Sequence, residues 1–312
     1  LPVLAVAWPL LVAWFLSPVI VYWLGQPLKR REYTISGTDR HFLRRVARRT
    51  WLFFERFMGP DDHWLPPDHF QEDPRGLVAH RTSPTNIGLA LLSTLASYDL
   101  GYSGPIDLTL RLREAFGGMG ELERYRGHFL NWYETRSFEP LPPRYVSTVD
   151  SGNLIASLRT LRQGLLAIPD DAPFRWQRAD GLMDALTVLG DLVGELRDSS
   201  VAAQVTLMLE QLAHIRQHIV DVRDDPSRWS PMLSEVGDED WPELERRLVD
   251  LVEAGSRSLK STTLRGLRIW LERARHQIVT MTDELDRFVP WLLRLDQAPE
   301  LFAREGLDPQ IA

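Results

Sequence analysis

Two stretches of this chain share an outline that constrains its fold more than any bulk property. Thr82-Ser-Pro-Thr-Asn86-Ile-Gly-Leu and Val149-Asp-Ser-Gly-Asn153-Leu-Ile-Ala each run from a polar loop, through a capping side chain and an asparagine, into a mostly apolar helix. The two asparagines stand 67 positions apart. Ser83, with Pro84 at the first helical position, predicts one helix start. Asp150, Ser151 and Asn153 predict the other. Between them the sequence predicts a second helix from Pro105 to Met119. It also predicts a β-hairpin, His128 to Tyr133 against Arg144 to Thr148, turned at Ser137 to Pro143. A repeated unit of polar loop, buried helix and outer helix is the pattern of helices wound in pairs.

Ahead of these loops, Leu1 to Gln26 carry no charge and are rich in Leu, Val, Ala and Trp. At about 1.5 Å per residue such a run reaches across a bilayer core. Residues 1–27 are read as a transmembrane segment, with Trp8, Trp14, Tyr22 and Trp23 including candidate interfacial anchors. Lys29, Arg30 and Arg31 follow, which predicts that the region after Lys29 is cytoplasmic. A helix is expected from Thr38 to Met58, capped by Thr38 or Asp39, with Phe42, Val46, Phe53 and Phe57 on one stripe. Arg40, Arg44, Arg45, Arg48 and Arg49 on its other faces read as a solvated surface near anionic headgroups. From Gly59 to Pro84 no helical period exists, and the aromatic content there argues for a functional loop.

Past Ala167 the texture changes. Ile168-Pro-Asp-Asp-Ala-Pro173 reads as a linker, followed by helices at Ala179 to Leu196 and Ser200 to Val222. A polar break from Arg223 to Asp240 precedes helices at Pro242 to Ala254 and Thr262 to Phe288. Residues 169–312 are read as a helical insertion or sub-bundle with no site of their own. The chain opens on Leu and closes on Leu307-Asp-Pro-Gln-Ile-Ala312, so it is expected to be part of a longer polypeptide.

A net charge of −7 gives no global attraction to nucleic acid, and the absence of cysteine excludes thiolate chemistry. No Gly-rich phosphate loop or His-Glu-x-x-His is present. His63 with His69, and His214 with His218, lack a third ligand at defined spacing, so no metal site is expected. The two polar loops gather the carboxylates Asp68, Glu72, Asp73, Glu134 and Asp150. Asp150 is read first as a helix cap. The same loops hold Trp64, Phe70, Trp132, Tyr133 and Tyr145, flat surfaces that suit a pyranose while Asn and Arg bond its hydroxyls. A sugar-binding cleft is the expectation.

These strings carry a family resemblance. Trp64-Leu-Pro-Pro-Asp68-His-Phe-Gln-Glu-Asp-Pro74, Ala79-His-Arg-Thr-Ser-Pro-Thr-Asn86, Arg126-Gly-His-Phe-Leu-Asn-Trp-Tyr133 and Tyr145-Val-Ser-Thr-Val-Asp-Ser-Gly-Asn153 resemble the central region of bacterial cyclic β-1,2-glucan synthases. The resemblance covers Leu1 to Leu166, and the helices after Pro169 match it only in character. It implies an all-α fold: a partial (α/α)6-barrel-like array of helical hairpins with a small β-hairpin, preceded by a transmembrane helix. It places residues 28–168 in the N-terminal part of a domain that cyclises linear β-1,2-glucan by transglycosylation. The parent enzyme would use UDP-glucose in a separate glycosyltransferase domain, with no cofactor in this segment. Partners implied are β-1,2-glucan, the bilayer of a bacterial inner membrane and other domains of the same polypeptide. The resemblance implies that the family's later segments supply the catalytic carboxylates; they have no counterpart before Ala312, so the catalytic residues are expected C-terminal to it. On this reading Trp64, Asp68, Arg81, Thr82, Asn86, Asn131, Trp132, Tyr133, Asp150, Ser151 and Asn153 line the cleft. Two alternatives stay open: an endo-β-1,2-glucanase, and a non-catalytic membrane-tethered module that binds a glycan or partner.

Overall fold

A computed structural model describes residues 2–25, 34–196, 199–255 and 259–291. The basic cluster Lys29, Arg30 and Arg31 and the segment Leu307–Ala312 lie outside the described residues. The fold is all-α, a helical array with a few very short strands. The chain divides into two compact units, Leu1–Phe42 and Leu43–Ala312.

The first unit holds α1 (Pro2–Leu24), an uncharged helix that carries Pro9 and Pro18 without breaking. By length and composition its stretch Ala7–Leu24 can cross a membrane, and none of that window is buried by protein. Helix α2 (Gly37–Phe57) starts from Ser36, whose hydroxyl accepts from Asp39 N at 3.1 Å and donates to the Asp39 carboxylate at 2.7 Å. The cap is therefore Ser36, not Thr38 or Asp39.

In the second unit, α3 (Pro84–Asp99) and α5 (Thr148–Ala167) pack as a parallel pair. Gly88 of α3 faces Leu154 and Ser157, and one to two turns on, Leu95 faces Gly164. A Cβ at Gly88 would meet Ser157 Oγ at 2.7 Å, and one at Gly164 would meet Leu95 at 2.4 Å. Glycine at both points lets the helices approach, and it sets their N-termini side by side. Between them, α4 (Pro105–Glu121) returns along the outside and buries Leu108, Leu112, Ala115 and Met119 against Ile87, Leu91 and Leu95.

Both inner helices start in the same way. Ser83 Oγ accepts from Asn86 N at 3.2 Å, and Ser147 Oγ accepts from Asp150 N at 3.2 Å. The repeat is thus Ser83/Asn86 against Ser147/Asp150, one helical turn away from the register suggested by Asn86 and Asn153. Asp150 and Ser151 lie inside the first turn of α5, and neither is its cap. Ser147→Ala is expected to cost about 1 kcal/mol. Ser151→Ala should cost almost nothing, and chemical denaturation of the two variants separates them.

The expected hairpin does not form as a ladder. β1 (Phe70–Gln71) pairs with β2 (Leu77–Val78), β4 (Arg124–Tyr125) with β5 (His128–Phe129), and β3 (Arg81–Thr82) with β6 (Tyr133–Glu134), all antiparallel. Of the predicted pairing, Asn131 N to Tyr145 O at 2.9 Å survives. Alternation alone could not decide this, because β6 finds its partner in the other polar loop. The two loops are stitched together, with Thr82 opposite Tyr133.

Helices α6 (Gln177–Gly194), α7 (Ala202–Asp221), α8 (Trp229–Glu235), α9 (Trp241–Ala254) and α10 (Ser261–Phe288) enclose a second apolar cluster, including Leu182, Leu189, Met208, Ile215, Leu244 and Met281. The predicted polar break at 223–240 in fact contains α8 and a π-helical turn, Val236–Asp240. These helices lock onto the α3–α4 connection. Gly101 takes φ +81, where a Cβ would stand 1.7 Å from the Gln177 carbonyl oxygen. Its own carbonyl accepts from Arg178 Nη1 at 3.0 Å and Gln277 Nε2 at 2.8 Å.

From Leu43 onward α2 belongs to the same body, which corrects the reading of three of its arginines. Arg44 pairs with Asp184 at 2.8 Å and Arg45 with Asp191 at 3.1 Å. Arg48 is 1% exposed, pairs with Glu55 at 3.0 Å and lies over the rings of Tyr102 and Trp270. Arg44, Arg45 and Arg48 thus form a packing surface, whereas Arg40 and Arg49 are exposed. Even the linker is tied down. Arg175 lies 3.9 Å over the Tyr98 ring, and the Tyr98 hydroxyl donates to Asp171 at 3.0 Å. Burial, joined by the neighbouring acids and only partly offset by Arg175, pushes that phenol up to about 12.

Candidate functional site

The paired loops bring a polar network to the N-terminal ends of α3 and α5. Asp68 is its hub. Its Oδ2 accepts from Arg81 Nε at 3.1 Å and Nη2 at 2.9 Å and lies 3.0 Å from His69 Nδ1, while Oδ1 accepts from Asn86 Nδ2 at 3.2 Å. Burial alone would raise this carboxyl. Hydrogen bonds from Arg81, His69 and Asn86, with the Arg81 charge, outweigh it and hold Asp68 below its ordinary value. Asp68 is thus an ionised acceptor whose lone pairs are already committed. Its role is to fix Arg81 and Asn86.

Arg81 in turn lies 5.1 Å over the Trp132 ring. Strand pairing of β3 with β6 makes this possible, since it sets Arg81 opposite Glu134 and Thr82 opposite Tyr133. A second chain of bonds crosses from helix to helix beside the first. Asn153 Nδ2 donates to Thr85 Oγ1 at 3.1 Å, and Thr85 Oγ1 donates to Asp150 Oδ1 at 2.5 Å. Ser151, next in the turn, is half-buried and bonds through its backbone to Ser147 O at 3.1 Å. Asp68, Arg81, Asn86, Trp132, Asp150 and Asn153 are therefore gathered about two adjacent helix starts.

The remaining predicted site residues sit beneath this surface. Tyr133 is fully buried; its hydroxyl accepts from Leu130 N at 2.5 Å and donates to Glu123 O at 2.7 Å. With no face towards solvent, it cannot stack on a sugar in this conformation. Thr82 is likewise fully buried, and Asn131 is 3% exposed. Their Oγ1 and Oδ1 atoms have no hydrogen-bond partner among the described residues. Trp64 is half-buried and packs on the first apolar cluster with the Arg111 guanidinium 5.7 Å from its ring. It has φ 60 and follows His63 at φ 51, two left-handed residues in succession. Gly118 of α4 admits that turn, since a Cβ there would meet the His63 carbonyl at 2.3 Å. Glu134 accepts from Arg136 N at 2.8 Å and Ser137 N at 2.7 Å, which makes it a turn-former.

Two features escaped sequence reasoning. Thr85, the link between Asn153 and Asp150, was visible only as a polar residue after Pro84. The other is a cluster under the loop. Asp62, 5% exposed, lies 2.7 Å from His80 Nδ1 and also accepts from the Thr135 hydroxyl. Arg136 Nη2 stands 2.8 Å from His80 Nε2. Arginine can only donate, so Nε2 accepts and Nδ1 carries the proton towards Asp62. His63 Nδ1 meets Thr135 O at 2.9 Å, closing the cluster. It staples the 3-10 turn Pro60–Asp62 to both polar loops.

Farther away, His214 and His218 meet Asp240 at 3.3 and 3.2 Å, and His218 meets Glu235 at 2.9 Å. Among the described residues no group of three or more His, Asp and Glu side chains is arranged to hold a metal ion.

No protein-family model matches the chain. It is similar to the cyclic β-(1,2)-glucan synthase NdvB of Rhizobium meliloti (strain 1021), with 34% identity over 220 residues. The match takes in 69% of this chain and 8% of NdvB, so the chain spans only a small part of that relative. An aligned stretch of that length cannot fit within Leu1–Leu166. The similarity therefore extends into the helices after Pro169, beyond the range on which the sequence resemblance rested.

Proposed function

We propose that this chain, a homologue of one region of a cyclic β-(1,2)-glucan synthase, holds linear β-1,2-glucan while the chain is closed into a ring by transglycosylation. The observation that carries this reading is the double network across two parallel helix starts, Asp68–Arg81–Asn86 beside Trp132 and Asn153–Thr85–Asp150. Fixed donors and acceptors beside an indole suit a neutral, hydroxyl-rich ligand. Glycoside chemistry needs one carboxyl that can protonate a leaving oxygen. Asp68, held ionised, is a poor candidate for that acid. Acid and nucleophile are assigned to parts of the protein outside this sequence, and Asp68 and Asp150 to binding and orientation. The donor UDP-glucose would serve a glycosyltransferase domain elsewhere in the polypeptide.

Helix α1 is proposed to span the inner membrane of a bacterium, with the region after Lys29 on the cytoplasmic side. Its uncharged, unburied stretch Ala7–Leu24 supports this.

The test uses the complete protein carrying this sequence, incubated with linear β-1,2-glucan. Trp132→Ala is expected to slow ring formation about tenfold, the loss of one stacking platform. Asn153→Ala should slow it by less. If both variants form rings at the parental rate, the site is misassigned. Reducing ends that accumulate in place of rings would favour hydrolysis by an endo-β-1,2-glucanase.

A further inference from the structure

We infer that the cavity between the β4–β5 hairpin and the segment leading into α5 is a second saccharide subsite. It would accept further sugar units of the glucan held at Asp68 and Trp132, and in that respect it rests on the function proposed above. The cavity has a volume of about 480 Å³. Tyr125 and Tyr145 stand in its lining with 57% and 51% of their surface exposed, and buried Leu130 lies beneath. Neither phenol hydroxyl nor the His128 ring has a hydrogen-bond partner among the described residues. Two half-exposed aromatic faces with free hydroxyl and imidazole groups are what a sugar requires: a flat apolar surface and hydrogen bonds at its edge.

The pocket is already built. On one side the hairpin closes through Arg126 at φ 50 and Gly127 at φ 87, a turn that fixes Tyr125 opposite His128. On the other, Tyr145 O accepts from Asn131 N at 2.9 Å. An ion pair between Arg144 and Glu123 ties the two sides together. Little has to be ordered when a ligand enters, which keeps the entropic cost of binding low. The same pair matches the Arg144 charge with a carboxylate, and Arg126, also in the lining, lies 5.4 Å over the Tyr125 ring. Tyr145 stands two residues before Ser147, the cap of α5. One short segment therefore presents both this pocket and the Asp150–Asn153 edge of the site described above.

The experiment compares short and long linear β-1,2-gluco-oligosaccharides, a disaccharide to tetrasaccharide set against chains of about fifteen units, by calorimetric titration of the complete protein. In the wild type the longer chains should bind more tightly. Tyr125→Ala/Tyr145→Ala is expected to weaken the long chains about tenfold and leave the short ones unchanged. Tyr145→Phe, which keeps the ring, should lose less. Both tyrosines are half-exposed, so the thermal melt of the double variant should match the parent. Trp132→Ala provides the other arm and should weaken both lengths. If the double variant binds long chains as the wild type does while Trp132→Ala does not, the subsite is refuted and the glucan-binding reading stands. If no length binds to the wild type, both fall.

Discussion

Arg178→Met should destabilise the second unit by about 3–5 kcal/mol, the usual cost of breaking a buried ion pair from one side. Arg178 and Glu284 are each 3% exposed and meet at 2.9 and 3.3 Å. Arg178 also bonds Gly101 O and Thr280 Oγ1. Those two keep Gln277 as a partner, so methionine would strand the Glu284 carboxylate. The site has no room to adapt, since a Cβ at Gly104 would already stand 1.5 Å from Glu284 Oε1. Adding Glu284→Leu to the variant should recover part of the loss, because the stranded charge is then gone.

The pH dependence has a definite sign. Burial pushes the Glu284 carboxyl up, and Arg178 only partly opposes this. A carboxyl raised on folding adds stability below its unfolded value and loses it as pH climbs through the folded one. Without Arg178 the rise is larger. The deficit of Arg178→Met should therefore be smallest in acid and widen towards neutral pH, as read by denaturant titration at several pH values. A deficit that does not vary with pH would mean that Glu284 is not the stranded group.

This junction explains what the sequence could and could not tell. Leucine and alanine spacing in α10 predicted that helix to within a residue at its start, because a buried face of one helix repeats along its own length. Arg178, Gly101 and Glu284 are more than a hundred positions apart at the extremes, and their tie depends on tertiary approach. The same reason applies in α2, where Arg44 and Arg48 look solvated until Asp184 and Trp270 are brought to them. At the site, Ser83 before Pro84 was legible since a cap is local. Ser147 was missed because Asp150, Ser151 and Asn153 offered equally good capping chemistry three to six residues later. The strand pairing of Arg81–Thr82 with Tyr133–Glu134 was beyond reach, since four paired residues carry no alternation to read. That pairing is nonetheless what turns two loops into one surface.

The sharpest consequence for function concerns Asp68. On the proposed function, Asp68→Ala in the complete protein is expected to reduce kcat/KM for linear β-1,2-glucan by about 30- to 100-fold, near the 2–3 kcal/mol lost when one partner of a bonded charge pair is removed. The carboxylate orients Arg81 against Trp132 and holds the Asn86 amide, so its loss frees both side chains at once. The fold around it should survive. Asp68 N still donates to Ala79 O at 3.1 Å, and Ala79 N to His69 O at 3.0 Å, whatever the side chain. A carboxyl depressed on folding contributes above its unfolded value, and that contribution fades as pH falls through the folded one. The gap between wild type and Asp68→Ala should thus stay constant from neutral pH down to the ordinary aspartate range and close only below it. A variant with a lowered melting temperature and unchanged kcat/KM would reduce Asp68 to a loop staple. An activity gap that instead closes near neutrality would point to a carboxyl with a raised pKa, the kind that general acid catalysis requires and that the Arg81 contact argues against.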